Sequence, residues 1–451
     1  MTTTRRDFLR VGAASAAGAS IGALGFPARS YARILGANDR IQVGIVGFSD
    51  RLKDALLPAF FKHAGDLNAE IVGVSDIWNR RREEGLAIVG KRGRTPRAYR
   101  NNDELYADPD LDAVIISTAD FQHALHAIEA ADHRKHAYVE KPFAETMADN
   151  RAALKAVRES GIVLQVGSQR RSGSNYHAAA AFIKQGKFGD IKMVEMSWNV
   201  NQPGRWRRPS LVEAIQETDT DWTRYLINRP PVPWDPRKYV EYRLFWPYSS
   251  GIPGQWMCHQ IDTVHWFTGL QHPRSVVANG GIYMWQDGRE NADTLTAVFD
   301  YGPLDDPKQG FQVVYSSRMH NDAGGVKEIY YSNGGELNLD TNKVSSKGGL
   351  TERYASAMGM KPFQLPSVDL TSRAVRVETA AATGEDEMTS AHVRNWLECV
   401  RSGKTPNAPV EAGYSHSIAT IMTNAAIRTR KVVTVDEDRQ EVLAGGEVFQ
   451  Y

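Results

Sequence analysis

A lysine follows an apolar segment in Tyr138–Pro142, which reads Tyr-Val-Glu-Lys-Pro. Because one helical stretch precedes this segment and another follows it, we expect Lys141 at the end of a strand in a βα crossover, where open α/β sheets place their chemistry. Burial or a neighbouring positive charge lowers a lysine pKa from about 10.4 towards about 7 to 8, which suits the amine to proton transfer. The alternative is a surface Lys141 paired with Glu140, and the residues alone leave both interpretations open.

Polar side chains repeat along the segment Gly254–Trp266. Gln255, His259 and Asp262 fall at i, i+4 and i+7, so on a helix they form one stripe, which predicts the wall of a pocket. His259 could donate or accept a proton, since an unperturbed histidine has a pKa of about 6.5, and Asp262 could fix its tautomer or bind a substrate hydroxyl. A histidine satisfied inside the core is the alternative for His259, and for His265 we favour packing.

The glycine loop after the first predicted strand carries part of a dinucleotide-binding pattern. That pattern places small residues at three positions, and the sequence has Gly47, Ser49 and Leu52 there. Gly47 permits a tight turn and Ser49 lets the backbone approach a pyrophosphate, whereas Leu52 departs from the pattern because the third glycine normally allows close packing of helix on strand. Asp76 ends the second predicted strand and could accept the adenosine-ribose hydroxyls of NAD, although the arginines after it could accommodate the phosphate of NADP.

The elements that must position these residues follow from apolar periodicity. Continuous apolar runs of strand length alternate with helical spacing, which indicates a parallel sheet covered on both faces. Residues 38–165 are therefore predicted to form a doubly wound nucleotide-binding domain. The segments that carry this pattern are Ile41–Val46, Asp54–Phe61, Ile71–Val74, Ala113–Ser117, Ala124–Ala131, Ala137–Val139 and Glu145–Ser160.

The pattern changes to longer alternating stretches in the second half of the chain, residues 166–451. Alternation with few helices between predicts a mixed or mostly antiparallel sheet with one open face, which is typically a subunit contact, so we expect a homo-oligomer. The segment Trp206–Tyr248 is rich in Trp, Arg and Pro. It is either a carbohydrate platform, since aromatic faces pack on sugar rings, or a cover for the open sheet.

The first 32 residues carry an export pattern and are set aside from the fold. Arg5–Leu9 reads Arg-Arg-Asp-Phe-Leu, an apolar run rich in Ala and Gly follows at Val11–Leu24, and Ser30–Ala32 offers small residues for cleavage. This is the pattern of a twin-arginine (Tat) signal, and the run is short of the roughly 20 strongly apolar residues of a membrane anchor. We expect a periplasmic or secreted protein that the Tat machinery exports already folded, with any cytoplasmic cofactor in place.

The composition of the chain limits the kinds of partner, disulfide and metal site that we expect. A formal net charge of +1, from 54 basic and 53 acidic side chains, argues against a nucleic-acid partner. The two cysteines, Cys258 and Cys399, could pair after export, but two buried thiols are the favoured state. A metal site formed by His259 and Asp262 with another histidine is a competing interpretation, yet no HExxH motif, paired cysteines or dense carboxylate cluster accompanies them in the sequence, so we expect none.

Taken together, these motifs resemble the glucose-fructose oxidoreductase / inositol dehydrogenase / rhizopine catabolism family, known as Gfo/Idh/MocA. The resemblance implies an amino-terminal Rossmann domain that holds NAD(P), an α/β carboxy-terminal domain with the substrate pocket, and a catalytic role for Lys141. It also implies that Thr118 and His123 lie beside the cofactor and that the peptide before Pro142 is cis. The similar segments are Val43–Gly47, Asp112–Thr118, Val139–Pro142, Val166–Arg171, His259–Asp262 and His392–Trp396.

We therefore expect an exported NAD(P)-dependent oxidoreductase that acts on a sugar, inositol or glycoside by hydride transfer, with NAD favoured. One alternative is a redox-neutral epimerase or glycoside-cleaving or eliminating enzyme with tightly bound NAD. Another is a non-catalytic sugar-binding protein on a Rossmann scaffold, which Ser49, Leu52 and Gln255 permit, since the family often has an acidic residue in place of Gln255. The candidate residues are, for catalysis, Lys141, His259 and Asp262; for the cofactor, Gly47, Phe48, Ser49, Arg51, Asp76, Thr118, His123, Glu140 and Lys141; and for the substrate, Arg170, Gln255, His259 and Asp262.

Overall fold

The computed structural model describes residues 39–306, 308–370 and 386–451. The predicted export signal, residues 1–32, lies outside the described residues. Within the described ranges, none of the helices combines the length and the apolar character that crossing a bilayer requires.

A parallel sheet of six strands forms the amino-terminal domain, in the order β3-β2-β1-β4-β5-β6. This is the doubly wound order, in which the chain reverses direction across the sheet between β1 and β4 and leaves a crevice at the carboxyl ends of the strands. The apolar runs of the sequence are buried because helices cover both faces of the sheet. The strands are β1 (Ile41–Val46), β2 (Ala69–Ser75), β3 (Arg97–Tyr99), β4 (Ala113–Ile116), β5 (His136–Val139) and β6 (Leu164–Val166).

Five α-helices connect these strands, and the first of them is entered through a π-helical turn at Leu52–Leu56. The last one is bounded as its sequence predicts, since the Thr146 side chain accepts a hydrogen bond from Asp149 N and Gly161 ends it in the left-handed conformation. The helices are α1 (Leu57–Ala64), α2 (Asn79–Gly90), α3 (Asn102–Tyr106), α4 (His123–Asp132) and α5 (Met147–Ser160).

An eleven-stranded sheet forms the carboxy-terminal domain, in the order β14-β13-β12-β11-β7-β10-β9-β8-β15-β16-β17. Strands β7 and β10 run parallel, and the other neighbours run antiparallel. Alternate residues of β9 and β10 are buried on one face, as the period-2 pattern predicts. The strands are β7 (Ile191–Asn199), β8 (Ser275–Gly281), β9 (Thr294–Tyr301), β10 (Phe311–Arg318), β11 (Val326–Ser332), β12 (Gly335–Asn338), β13 (Lys343–Ser345), β14 (Val368–Asp369), β15 (Val433–Asp436), β16 (Glu441–Ala444) and β17 (Glu447–Val448).

The helices of the second half join the two domains. The last helix, α13, is buried along most of its length against α5, α10 and β8. Helix α12 packs on α1 and completes the core of the amino-terminal domain, with the ring of the fully buried Trp396 lying 5.8 Å from that of Tyr138. These helices are α6 (Ser174–Lys184), α7 (Pro209–Ala214), α8 (Trp222–Leu226), α9 (Pro236–Val240), α10 (Cys258–Thr268), α11 (Glu352–Ala357), α12 (Glu387–Ser402) and α13 (Val410–Thr429).

The predicted fold class, an amino-terminal Rossmann domain followed by an α/β domain with a large, mostly antiparallel sheet, is confirmed. Cys258 and Cys399 are both buried free thiols. The use of the sheet as a subunit contact stays a prediction.

Candidate active site

A cavity of about 920 Å³ lies at the carboxyl ends of β1, β2, β4 and β5 and is closed on its other side by the carboxy-terminal domain. Its volume is at the upper end of the range for small-molecule sites. The residues that follow these four strands, Gly47, Asp76, Thr118 and Glu140, all line it. The doubly wound topology therefore places the predicted cofactor residues at one end of a single cavity.

The turn after β1 needs glycine at position 47. Gly47 has φ +82°, and a Cβ built there would lie only 2.6 Å from Cγ2 of Thr118. The Ser49 hydroxyl lies 2.6 Å from that of Ser117, which ties the loop to the end of β4. The backbone can thus pass close to a ligand at Gly47 without an intervening side chain.

Leu52 does not disrupt the dinucleotide loop, because the turn that contains it is π-helical and buries the leucine completely. The close packing that the third glycine of the pattern normally allows occurs instead at Gly85 in α2, where a Cβ would meet Cδ2 of Phe48 at 2.7 Å. A different glycine therefore lets a helix approach the loop.

Asp76 lies where the sequence predicts, at the end of β2 on the cavity wall. Its two carboxylate oxygens accept hydrogen bonds from Phe48 N at 2.7 Å and Trp78 N at 2.8 Å. Burial outweighs these bonds and raises its pKa. Each oxygen keeps a lone pair for a ligand hydroxyl, so the geometry is compatible with a ribose partner.

Thr118 Oγ1 and His123 Nε2 are among the buried polar atoms at the cavity that have no hydrogen-bond partner in the part of the chain that the structure describes. His123 Nδ1 donates to the carbonyl of Pro142 at 2.7 Å, which leaves Nε2 as an acceptor when the ring is neutral. Burial lowers the pKa of His123 and favours this neutral ring. Buried polar atoms without partners mark positions where a ligand can bond.

Lys141 reaches across to the carboxy-terminal domain. Its Nζ donates to the backbone carbonyl of Gln255 at 2.8 Å, and the peptide to Pro142 is cis, as predicted. Burial lowers the pKa of Lys141, although the nearby Cys258 and Glu140 oppose this change. Lys141 is thus half-buried at the cavity, and its amine bonds to the Gln255 carbonyl instead of forming an ion pair with Glu140.

Glu140 forms its ion pair with Arg51 and not with Lys141. Its Oε1 accepts from Arg51 Nε at 2.9 Å and from Gln169 Nε2 at 3.2 Å, so the predicted cofactor residue Arg51 joins the loop to β5. Burial alone would raise the pKa of Glu140, but Arg51 and Lys141 outweigh it and hold the pKa below its usual value.

His259 lies on the cavity wall with its ring stacked on that of Trp198, at 5.9 Å between centroids. Burial and the charges of Lys141, Arg170 and Arg51 lower its pKa well below the usual value, so the ring is neutral at physiological pH. Neither of its nitrogens has a hydrogen-bond partner in the described part of the chain. A neutral ring with one donor and one acceptor thus faces the cavity.

Asp262 does not join His259 in the cavity, contrary to its predicted catalytic and substrate-binding roles. It is completely buried in a bidentate pair with Arg171, at 2.7 and 3.0 Å, and this arginine lowers its pKa to about 2 despite the burial. A buried carboxylate requires such a partner, and the pairing directs Asp262 away from the cavity.

Arg170 lines the cavity but is already paired with the buried Glu328. Its guanidinium lies over the rings of Tyr176 and Trp198, 5.4 Å from each centroid. Because its charge is compensated, Arg170 supports the aromatic wall, by which we mean Trp198, Trp206 and Trp256. The rings of Trp198 and Trp256 are parallel within 3° and 6.2 Å apart.

Gln255 bridges two residues that the sequence analysis did not single out. Its Nε2 donates to Asp120 Oδ2 at 2.5 Å, and its Oε1 accepts from Arg243 Nε at 2.9 Å. Gln255 thus places an amide in contact with the carboxylate of Asp120. Asp120 could have been found from its place just after β4, and Arg243 from the aromatic insert Trp206–Tyr248.

A second buried carboxyl, Glu145, lies behind this bridge. Its Oε1 accepts from the backbone and side chain of Ser250, both at 3.1 Å. Burial, reinforced by the charge of Asp120, raises the pKa of Glu145 to about 8. At neutral pH Glu145 therefore carries a proton, next to the charged groups of the site.

Comparison with known proteins shows which family the amino-terminal domain is similar to. Residues 41–168 match the family "Oxidoreductase family, NAD-binding Rossmann fold", or Gfo/Idh/MocA. A 1,5-anhydro-D-fructose reductase of Ensifer adhaerens is 27% identical over 197 residues, covering 42% of this chain and 57% of the reductase. A scyllo-inositol 2-dehydrogenase (NAD(+)) of Bacillus subtilis is 34% identical over 121 residues, covering 27% of this chain and 34% of that enzyme. The chain thus spans about a third to somewhat over half of these relatives.

Solved structures agree in fold over most of the chain. A levoglucosan dehydrogenase in complex with NADH and levoglucosan has a TM-score of 0.62 at 16% identity, covering 88% of this chain and all of that one. The WlbA dehydrogenase of Bordetella pertussis, in complex with NADH and UDP-GlcNAcA, has a TM-score of 0.62 at 17% identity, covering 88% of this chain and 98% of that one. At sequence identities of 16% and 17%, the structural similarity shows a shared fold.

Gly47→Ala should weaken NAD binding about tenfold or more, because a Cβ at φ +82° is strained and meets Thr118. Isothermal titration calorimetry with NAD measures the effect. Gly161→Ala is the matched control, since Gly161 has φ +66° but nothing lies within 4 Å of the added Cβ. Equal NAD affinity in the wild-type protein and Gly47→Ala would contradict the assignment of this loop.

Glu145→Gln should remove a pH dependence of folding stability. Between pH 4.5, the ordinary pKa, and about pH 8, the folded protein holds the Glu145 proton and the unfolded chain does not. The free energy of unfolding of the wild type therefore falls with rising pH, by up to about 1.4 kcal/mol per pH unit from this group. Urea unfolding at several pH values measures this slope.

The exposed Glu159 provides the control for this experiment, since its side chain is 67% exposed. Glu159→Gln should keep the slope of the wild type, whereas Glu145→Gln should be less sensitive to rising pH. Equal slopes in all three proteins would show that Glu145 is ionised in the folded state.

Proposed function

We propose that this chain, whose residues 41–168 belong to the Gfo/Idh/MocA oxidoreductase family, is an NAD(P)-dependent oxidoreductase that acts on a hydroxyl group of a sugar or polyol. The observation that carries the proposal is the position of Lys141 and His259. Both lie on the wall of one cavity, between the dinucleotide loop and the aromatic wall. The names of the relatives, which include a sugar reductase and an inositol dehydrogenase, support this substrate class.

The residues at the loop end of the cavity fit a dinucleotide. Gly47 leaves a place that a Cβ would fill, and Thr118 Oγ1 and His123 Nε2 are buried without partners among the described residues. The loop Gly47–Arg51 would hold the pyrophosphate and Asp76 the adenosine ribose, which favours NAD over NADP. When bound, NAD supplies a nicotinamide ring that accepts hydride from an alcohol carbon.

Lys141 is the proposed general base. Its Nζ donates one hydrogen to the Gln255 carbonyl at 2.8 Å. Because burial lowers its pKa, a neutral amine is accessible, and its lone pair would take the proton of the substrate hydroxyl. The charge that then forms on Nζ would be stabilised by the Gln255 carbonyl and by the nearby carboxylate of Glu140.

His259 is proposed to bind the oxygen of the reacting carbon. Its ring is neutral, so one nitrogen can donate to this oxygen while Lys141 takes the proton. The stacking on Trp198 fixes the plane of the ring. The aromatic wall beside it offers flat apolar faces to the C–H side of a sugar ring.

Lys141→Met should lower kcat about 100-fold or more and leave the Kd for NAD within about twofold, because it removes the amine and keeps most of the side-chain volume. Absorbance of NADH during oxidation of a sugar or polyol panel measures turnover. Lys155→Met is the control, since that lysine is 73% exposed and lies on α5. Full turnover by Lys141→Met would refute the proposed role.

A redox-neutral reaction is a second candidate, in which a cofactor retained through the whole cycle would supply both the oxidation of a sugar carbon and the later return of the hydride. The twin-arginine pattern Arg5–Leu9 favours it, because free NAD is scarce outside the cytoplasm and a retained cofactor avoids the shortage. We propose with it that the chain is exported to the periplasm with its NAD in place.

One fractionation experiment tests export and retention together. The wild-type protein should appear in the periplasmic fraction, and mass spectrometry after denaturation should find about one NAD per chain. The variant Arg5→Lys/Arg6→Lys should stay in the cytoplasm with the same nucleotide content. Equal export of the variant would contradict the twin-arginine route. A periplasmic protein that is empty and fails to bind added NAD(P) would favour a sugar-binding protein instead.

A further inference from the structure

Two arginines that line the cavity, Arg205 and Arg243, have no carboxylate within ion-pair distance among the residues that the structure describes. Arg243 donates to the amide oxygen of Gln255, and its guanidinium lies 4.6 Å from the centroid of Tyr242. Arg205 donates to the amide oxygen of Gln202 and lies 5.7 Å from the centroid of Trp256. Within the described ranges neither arginine forms an ion pair. We refer to Arg205 and Arg243 as the arginine pair.

Each of the other five arginines that line the cavity has a carboxylate within 4 Å among the described residues, although Arg81 and Arg208 share Asp50. The pairs are Arg51–Glu140, Arg81–Asp50, Arg170–Glu328, Arg208–Asp50 and Arg224–Asp103.

The environment of Arg205 disfavours its charge. Burial, together with the charges of Arg243 and Arg208, lowers the pKa of Arg205 to about 10. Burial alone would lower the pKa of Arg243, but the nearby Tyr242, Asp120, Asp50 and Glu140 outweigh it and raise the pKa, although none of these carboxylates forms a direct ion pair with Arg243. Arg205, half-buried and without an ion pair among the described residues, is therefore where the negative charge of a ligand would be most favourable.

The arginine pair adjoins the site of the proposed chemistry. Arg243 bonds to the side chain of Gln255, whose backbone carbonyl accepts from Lys141. Arg205 lies over Trp256, the next residue, in the aromatic wall. An anion held here would therefore lie next to Gln255 and Trp256, and it would belong to a molecule that also reaches Lys141 and His259.

We infer that the substrate is an anionic sugar, whose carboxylate or phosphate group is bound by Arg205 and Arg243. Two guanidinium groups match such an anion, since each presents paired N–H donors to planar or tetrahedral oxygens. The aromatic wall would bind the ring of the sugar, and Lys141 would face one of its hydroxyl groups. This inference deepens the proposed function and rests on it for the sugar class.

Direct binding tests the inference without requiring turnover. D-Glucuronate, D-glucose 6-phosphate and D-glucose are titrated into the purified protein with NAD added, and affinity is followed by calorimetry. One of the two anionic sugars should bind about 10- to 100-fold more tightly than D-glucose, and the comparison between them identifies carboxylate or phosphate. Arg205→Gln and Arg243→Gln should each lose most of this preference, measured as the ratio of the affinities for the anionic sugar and for D-glucose.

Arg439→Gln is the control, because that arginine is 72% exposed in the carboxy-terminal sheet region. It should keep the wild-type preference. Equal binding of all three sugars, or no binding of any, would overturn the inference, as would variants that keep the preference. Variants that lose affinity for NAD instead would show that the arginine pair holds the phosphates of the dinucleotide, which also overturns it.

Turnover is read separately in the same proteins, so the two proposals can fail independently. Tight binding of an anionic sugar without NADH formation would count against the oxidoreductase function and leave the anionic substrate standing. NADH formation from neutral sugars alone would support the oxidoreductase function and count against the anionic substrate.

Discussion

The hydrogen bond from Lys141 Nζ to the carbonyl of Gln255 connects the two domains at the wall of the cavity. The lysine belongs to the end of β5, and the carbonyl belongs to the π-helical turn Pro253–Met257 that leads into α10. Because this bond joins the cofactor loop region to the aromatic wall, the position of each depends on it. The same burial lowers the pKa of the amine, so one constraint sets both the geometry and the acid–base character of the site.

Charge compensation decides which side chains remain available in this environment. Asp262 is paired with Arg171 and Glu328 with Arg170, so these two carboxylates are largely unavailable to a ligand, while Glu140 is paired with Arg51 beside Lys141. Lys141, His259 and the arginine pair lack such a carboxylate partner among the described residues. The groups that are left exposed to the cavity are therefore a potential base, a neutral imidazole and two cations, which together favour an anionic substrate with an oxidisable hydroxyl.

Much of the fold and part of the site could be predicted from the sequence. Continuous apolar strands and the Glu-Lys-Pro segment predicted the doubly wound sheet and the place of Lys141, because local patterning is sufficient for both. The position of Asp262 could not be predicted, since helical spacing does not reveal that Arg171, 91 residues away, binds it. The departure at Leu52 did not show whether the dinucleotide loop could form. The π-helical turn that contains Leu52 and the close packing at Gly85 both depend on tertiary contacts that the local sequence does not reveal.

The ionisation of Lys141 is the most direct test of this account. Lysine labelled with ¹³C at Cε allows each amine to be titrated by NMR, and the spectrum of Lys141→Arg identifies the resonance of Lys141. We expect a pKa of Lys141 below the ordinary 10.5 in the NAD-loaded protein, because the amine is desolvated. A pKa at or above that value would contradict the proposed general base, since Lys141 would then remain protonated and could not accept a proton from the substrate.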